Sequence, residues 1–334
     1  MNEKRNFKIK NLKNIVFFGY STEFDKLLNI NSNLDIRTEI ITSTSQSKNL
    51  STKHVIFDEL SNSLYEFLEK NFEIENTLFI SLGSRLIFDN KFINYVNKKL
   101  INFHGSRLPF DAGGGGFSWR IMRGDKIDIQ LVHLIDEGID TGDIISYEES
   151  IFPNHCKKPI DYINYSTENF IKFYTNIISQ LKYKKSFYLS RQLGYLGSYF
   201  PRLDTFTHGY INWSWNSNDI YSFINSFDDP YAGASTFISN NEDSRVFLKS
   251  VHLHGGTISN HPYSKGLVIK NNKKWLEVSI DDKSLLIEEV LNNEGENILK
   301  KINIGDRFFT PKKYIDNANK VRVKFNSLGK QFKK

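Results

Sequence analysis

The chain is poor in cysteine: Cys156 is the only one in 334 residues. One thiol excludes an internal disulfide framework and a cysteine-based zinc cluster, and it fits a reducing compartment. Long apolar runs are missing too. The first, residues 15–18, is far too short for a signal peptide or a membrane span, so no membrane span is predicted and the cytoplasm is the expected location. Basic charge spread over the body is also absent. The net charge is +6, from 44 Lys+Arg and 38 Asp+Glu, but residues 320–334 hold six of the basic residues and no acid, which leaves the rest of the chain neutral. Proteins that grip nucleic acid across their body carry a basic face, so nucleic acid is not an expected partner. The basic segment is read as a solvated terminus, the competing reading being a tail that touches phosphate or a membrane.

What the chain does have is aromatic mass, with 27 Phe and 16 Tyr. That argues against disorder, and the length suggests about two domains. In the first half, short apolar runs alternate with helical patterns. Residues 15–18, 36–42, 54–57, 77–81 and 100–104 read as strands. Leu64, Phe67 and Leu68 share helical spacing, and residues 92–96 read as a short helix. This alternation predicts an α/β fold with a mostly parallel sheet covered by helices. Strands over 127–136 and 143–149 follow, joined by a tight turn between Gly138 and Gly142. Next comes a core-facing helix, with Ser166 as its cap and Phe170, Phe173, Tyr174, Ile177, Ile178 and Leu181 on one face. Residues 184–208 lack periodicity and read as a linker. Beyond them, a helix carrying Ile220, Phe223, Ile224 and Phe227 precedes short strands over 234–238, 245–253, 266–269, 275–278 and 284–289, a pattern that fits a small barrel. The expected organisation is an α/β domain over 1–183, a linker over 184–208, a β-rich domain over 209–318 and a basic tail over 319–334.

One stretch points to chemistry. Residues two apart on a strand share a face, so Asn102 and His104 point the same way at the end of a predicted strand. Strand C-termini of open α/β sheets form the ligand crevice. Asp140, flanked by Gly138 and Gly142, lies on a loop that would return to that crevice, orient His104 and favour its protonated form. A lone histidine at a strand end is more often a satisfied hydrogen-bonding residue. The accompanying amide and carboxylate shift the reading toward an acid–base site. His252 and His254 share a strand face but lack a third ligand, so no metal is predicted. Trp213 and Trp215 fit core or linker packing better than base stacking.

The run Asn102, Phe103, His104, Gly105, Ser106, Arg107, Leu108, Pro109, followed by Asp136, Gly138, Asp140, Thr141, Gly142, Asp143, Ile144 and Ile145, resembles the folate-dependent formyltransferases. That family includes methionyl-tRNA, glycinamide ribonucleotide and sugar N-formyltransferases. The resemblance extends to Val16, Phe17, Phe18 and Gly19, to Ser81 through Ile87, and to Ile211, Asn212, Trp213 and the segment from Asp229 to Ala234. It implies a Rossmann-like catalytic domain followed by a smaller β-rich, OB-like domain. It implies an Asn102–His104–Asp140 triad that moves a formyl group from 10-formyltetrahydrofolate to a primary amine, with no metal. Asn102 and a protonated His104 would stabilise the oxyanion, His104 would carry the proton between the two nitrogens, and Asp140 would hold His104. Arg85, Leu86, Ile87 and Asp136 become candidate folate contacts, with Glu137 nearby. Ser106, Gly113 and Gly114 become candidate acceptor contacts.

Two departures from the family pattern bear on the acceptor. Four consecutive glycines, 113–116, stand where relatives carry arginine and proline nearby, and their backbone N–H groups offer a phosphate cradle, the other reading being a close-packing loop. Residues 42–53 form a short Ser/Thr-rich stretch where the tRNA enzymes carry a longer basic insertion. The expected acceptor is therefore a nucleotide-linked aminosugar, a dTDP- or UDP-4-amino-4-deoxy sugar, formylated for surface polysaccharide such as lipopolysaccharide, by an enzyme expected to dimerise. Methionyl-tRNA formyltransferase is the second reading, a non-catalytic folate- or sugar-nucleotide-binding protein the third, and hydrolysis of the formyl donor a further one.

Overall fold

The computed structural model describes residues 5–114, 116–239, 241–255, 260–326 and 329–333. Its first half is built on a seven-stranded sheet in the order Val55–Ile56, Arg37–Thr42, Asn14–Gly19, Thr77–Leu82, Leu100–His104, Ile127–Leu134, Ile144–Ile151. The first five strands run parallel, Ile127–Leu134 runs against them, and Ile144–Ile151 pairs antiparallel with that strand. Strand alternation sorts the apolar runs onto two faces. Ile15 and Phe17 join a core with Phe24, Phe173 and Tyr174, whereas Val16 and Phe18 join one with Leu64, Leu68 and Phe92 on the other side. At Leu100–His104, Ile101 and Phe103 go into the first core, which turns Asn102 and His104 away from it.

The long helix runs over Pro159–Lys182, one and a half turns or more ahead of the expected Ser166 cap. Asp161 closes its start by accepting from the Lys157 and Lys158 main-chain N–H groups (2.8 and 3.1 Å). Ser166 lies inside the helix and is buried, with Gln130 Nε2 donating to its Oγ at 2.9 Å. A second departure concerns the C-terminal segment. Rather than a free tail, Arg322–Asn326 and Gly329–Lys333 pair as an antiparallel hairpin, and Val323 bridges Arg202. Residues 327–328 and 334 of that segment lie outside the described residues.

The second half is an antiparallel six-stranded sheet, ordered Val268–Asn271, Leu276–Ser279, Ser284–Leu291, Asn241–His254, Ala234–Ile238, Phe308–Phe309. Its two edges meet: Val268 N donates to Asp306 O and Phe308 N to Gly266 O, both at 2.8 Å, which closes the sheet into a small barrel. Helix Ser217–Ser226 covers it with Ile220, Phe223 and Ile224. The halves lock together where Ser118 Oγ donates to Ser226 O (2.7 Å) and Lys158 Nζ meets Asp229 (2.8 Å). No helix among the described residues is long and apolar enough to cross a membrane.

Candidate active site

Asn102 and His104 open onto a cavity of about 350 Å³ at the C-terminal end of their strand, between residues 81–88 and residues 135–140. The second wall is a loop shaped by its own sequence. Asp136 Oδ1 accepts from Gly138 N (3.1 Å) and Thr141 Oγ1 (2.6 Å). Gly142 packs so tightly that a Cβ there would stand 1.9 Å from the Leu134 carbonyl oxygen, so only glycine fits. Asp140 adopts φ +58° and sends its carboxylate back to the strand end. Its Oδ2 lies 3.9 Å from His104 Nε2, and its Oδ1 lies 3.7 Å from His133 Nε2. These distances exceed a hydrogen bond, so the carboxylate acts on both rings through its charge.

Sequence reasoning missed His133. It sits opposite Asn102 on the antiparallel neighbour strand. Its Nδ1 contacts Leu134 O at 2.7 Å, which makes Nδ1 the protonated nitrogen. Nε2 is then an acceptor for Asn102 Nδ2 at 3.2 Å, which fixes the Asn102 amide with one N–H engaged and one remaining. Arg120 was missed as well. It is buried on helix Gly116–Arg123 and donates from Nη2 to Gly105 O at 2.7 Å, holding the peptide that follows His104.

Burial pushes the His104 imidazole below its ordinary 6.5; Asp140 pulls the other way, and His133 and Arg120 reinforce the fall. Burial likewise depresses His133 against the raising effect of the Leu134 carbonyl, Asp140 and Asp136. Asp140 favours the protonated ring, and burial, the larger influence, opposes it. His104 Nε2 is buried without a hydrogen-bond partner among the described residues.

A second, larger cavity of about 870 Å³ adjoins the first, sharing Asp136, Ile139 and Asp140 with it. Its other walls come from Arg5, residues 108–112 and the connecting segment 191–199. Of the expected folate contacts, Leu86, Ile87 and Asp136 line the smaller cavity, as does Glu137. Arg85 is not in that lining; its Nη1 donates to Ser45 Oγ at 2.6 Å. Of the expected acceptor contacts, Ser106, Gly113 and Gly114 line neither cavity. Of the two readings of the glycine run, the neighbours of Gly113 and Gly114 favour the close-packing one. A Cβ on Gly113 would meet Phe200 O at 2.6 Å and one on Gly114 would meet Arg202 Cβ at 3.0 Å, so these two glycines pack against the connecting segment. Gly115 lies outside the described residues. No group of three or more metal-ligating side chains occurs among the described residues.

Comparison with known proteins places these features. A formyl transferase family model matches residues 32–158, and a formyl transferase C-terminal domain model matches residues 206–301. The structure of the N-formyltransferase from Helicobacter canadensis, in complex with folinic acid and dTDP-3-aminofucose, superposes with a TM-score of 0.58 at 18% identity, covering 83% of this chain and 99% of that one. The bifunctional polymyxin resistance protein ArnA of Wigglesworthia glossinidia brevipalpis is 21% identical over 76% of this chain, which spans 38% of that protein's length. Methionyl-tRNA formyltransferase of Acetivibrio thermocellus is 24% identical over 67% of this chain and 70% of its own. With both domains matched and the fold shared, the chain belongs to the folate-dependent formyltransferase family and is a formyl-transfer enzyme.

Proposed function

We propose that the protein transfers the formyl group of 10-formyltetrahydrofolate to the amine of a nucleotide-linked aminosugar. The observation that carries this reading is the meeting of two cavities at Asp140, with Asn102 and His104 lining the smaller one. The smaller suits the folate ring system: Leu86, Phe88 and Ile135 give it apolar walls, and Asp136 and Glu137 give it polar partners. The larger, about 870 Å³, lies inside the roughly 300–1,000 Å³ range of ligand pockets and suits a sugar nucleotide, with Arg191, and Arg5 beside its partner Asp143, as the basic side chains of its wall. The dTDP-aminosugar bound by the Helicobacter canadensis enzyme supports the same class of acceptor.

The folate, when bound, supplies a formyl carbon carried on nitrogen. The chain's own residues do the rest. Neutral His104 accepts the proton that the attacking amine must lose and returns it to the departing nitrogen. The remaining Asn102 N–H donates to the formyl oxygen as negative charge develops there. Asp140, 3.9 Å from the ring, stabilises the imidazolium formed in passing. His133 holds the Asn102 amide in that orientation.

The 4-amino-4-deoxy type is the first acceptor to test, and a surface polysaccharide is the expected destination of the product. A cytoplasmic homodimer extends the proposal. Exposed Tyr147 and Ile151, on the edge strand Ile144–Ile151, are apolar surface that such a dimer would cover, which light scattering checks. The methionyl-tRNA reading is favoured by the Acetivibrio relative. One assay separates the two. The protein is incubated with 10-formyltetrahydrofolate, a panel of dTDP- and UDP-linked 3- and 4-aminosugars, and charged initiator tRNA. A formyl mass gain on one sugar nucleotide is expected; gain on the tRNA alone overturns the sugar reading.

A further inference from the structure

Gln192 stands on the segment that connects the two halves, outside both family-model matches. Its side-chain amide reaches across to the loop that carries Asp140. Nε2 donates to Asp140 O at 3.0 Å and to Gly142 O at 2.7 Å, on either side of Thr141. The segment around it is anchored. Ser190 and Ile144 exchange main-chain hydrogen bonds of 2.8 and 2.9 Å, and Leu189 N donates to Arg5 O at 3.0 Å. Arg5 in turn pairs with Asp143 at 2.8 Å. A fixed anchor therefore grips a loop whose central residue holds a positive φ, which is uncommon for a residue other than glycine.

We infer that Gln192 is a positioning residue of the formyl-transfer site, clamping the backbone of residues 140–142 so that the Asp140 carboxylate stays against His104. The inference rests on the reading above, in which Asp140 acts on His104. Both hydrogens of a primary amide suit this task, because the two acceptors are carbonyl oxygens. A glutamate of the same shape offers neither donor when ionised and sets a negative charge against both oxygens. Gln192 also lines the larger cavity together with Asp140, so the acceptor's pocket and the carboxylate share one clamp.

The test has a readout that a purely structural role would not move. The charged or titratable groups around the His104 ring are Asp140, His133 on the adjacent strand and Arg120 on helix Gly116–Arg123, and of these only Asp140 favours the protonated ring. Loosening the loop weakens that pull, so His104 titrates at lower pH. Ring-proton NMR of the full chain, ligand-free, follows His104 in wild type, Gln192→Ala, Gln192→Glu and Asp140→Asn. Activity is measured with 10-formyltetrahydrofolate and a dTDP-linked 4-aminosugar. Both Gln192 variants are expected to keep the wild-type Tm, to lower kcat roughly 10- to 100-fold with little change in the KM for folate, and to move the His104 titration downward. Gln192→Ala placed on Asp140→Asn should cost little more, because the two act as a unit. An unmoved titration with wild-type kcat in Gln192→Ala and Gln192→Glu, beside an impaired Asp140→Asn, overturns the clamp alone. A wild-type Asp140→Asn enzyme overturns the catalytic reading and the clamp with it.

Discussion

Around the barrel, several polar groups meet partners at close range. Trp213 Nε1 donates to Thr236 Oγ1 at 2.9 Å, Ser217 Oγ to Asp282 at 2.5 Å, and Lys249 and Lys158 both bind Asp229. At the end of the seven-stranded sheet the pattern differs. His104 Nε2 is buried without a hydrogen bond, and two imidazoles face one carboxylate across 3.9 and 3.7 Å. Polar groups that complete each other hold a fold together, whereas groups left at a distance in a cavity are held ready for a ligand and a proton. With the proposed function the chemistry lies at the sheet, and substitutions in each region should act on different measurements.

The largest effect falls on the sheet. His104→Ala should lower kcat by roughly a hundred- to ten-thousandfold, the range for a general acid–base group, while thermal unfolding stays near wild type. A kcat near wild type would remove His104 from the mechanism. Asn102→Ala comes next, with an expected loss of roughly a hundred- to a thousandfold for one oxyanion donor. It should also free the Nε2 of His133, which pairs with that amide.

In the barrel the expected sign reverses. Asp229→Asn leaves Lys158 and Lys249 facing a neutral amide and should destabilise the protein by about 1–2 kcal/mol, a buried-pair loss discounted because Asp229 is 43% exposed. Hydrogen bonds from Lys158 and Lys249 hold the Asp229 carboxyl below its ordinary range. Its contribution is therefore present above an unfolded value of about 3.9 and is lost as pH falls through the lower folded value. Denaturant unfolding against pH checks this, with kcat expected to remain close to wild type. A collapse of kcat at unchanged stability would end the division of labour between the halves.

Much of the sheet was legible because its strands are buried on both faces and read as continuous apolar runs, as at residues 15–18. Asn102 and His104 were legible for a related reason: two-residue periodicity fixes which side chains share a face. Asp140 stood out through its flanking glycines, one of which the close approach to Leu134 requires. His133 was not legible. Its partnership with Asn102 depends on the antiparallel register between two strands, which no local pattern encodes. Gln192 and Arg120 were hidden in the same way, since each acts on the main chain of a distant segment. Strand Phe308–Phe309 was missed because two residues carry no period, and helix Lys312–Lys320 because Ala318 is its one buried residue. For Arg85 and for Gly113 and Gly114 the sequence showed the loops but not their neighbours, Ser45 for the one and Phe200 and Arg202 for the others.

The smallest effect gives the sharpest test of how the sheet site is tuned. Three influences lower the affinity of His104 for a proton, namely burial, His133 and Arg120, and Asp140 alone opposes them. If the neutral ring is the working form, kcat/KM falls as pH drops through the folded pKa of His104, which lies below the ordinary 6.5. Asp140→Asn removes the one raising influence, so the acid limb should move to still lower pH even as kcat falls. Arg120→Met removes a lowering charge, so the limb should move up. Opposite displacements from two single substitutions, read on pH–rate profiles, would show that the site's charges set the proton affinity of His104. Displacements of the same sign would show that loop disorder, not charge, governs it.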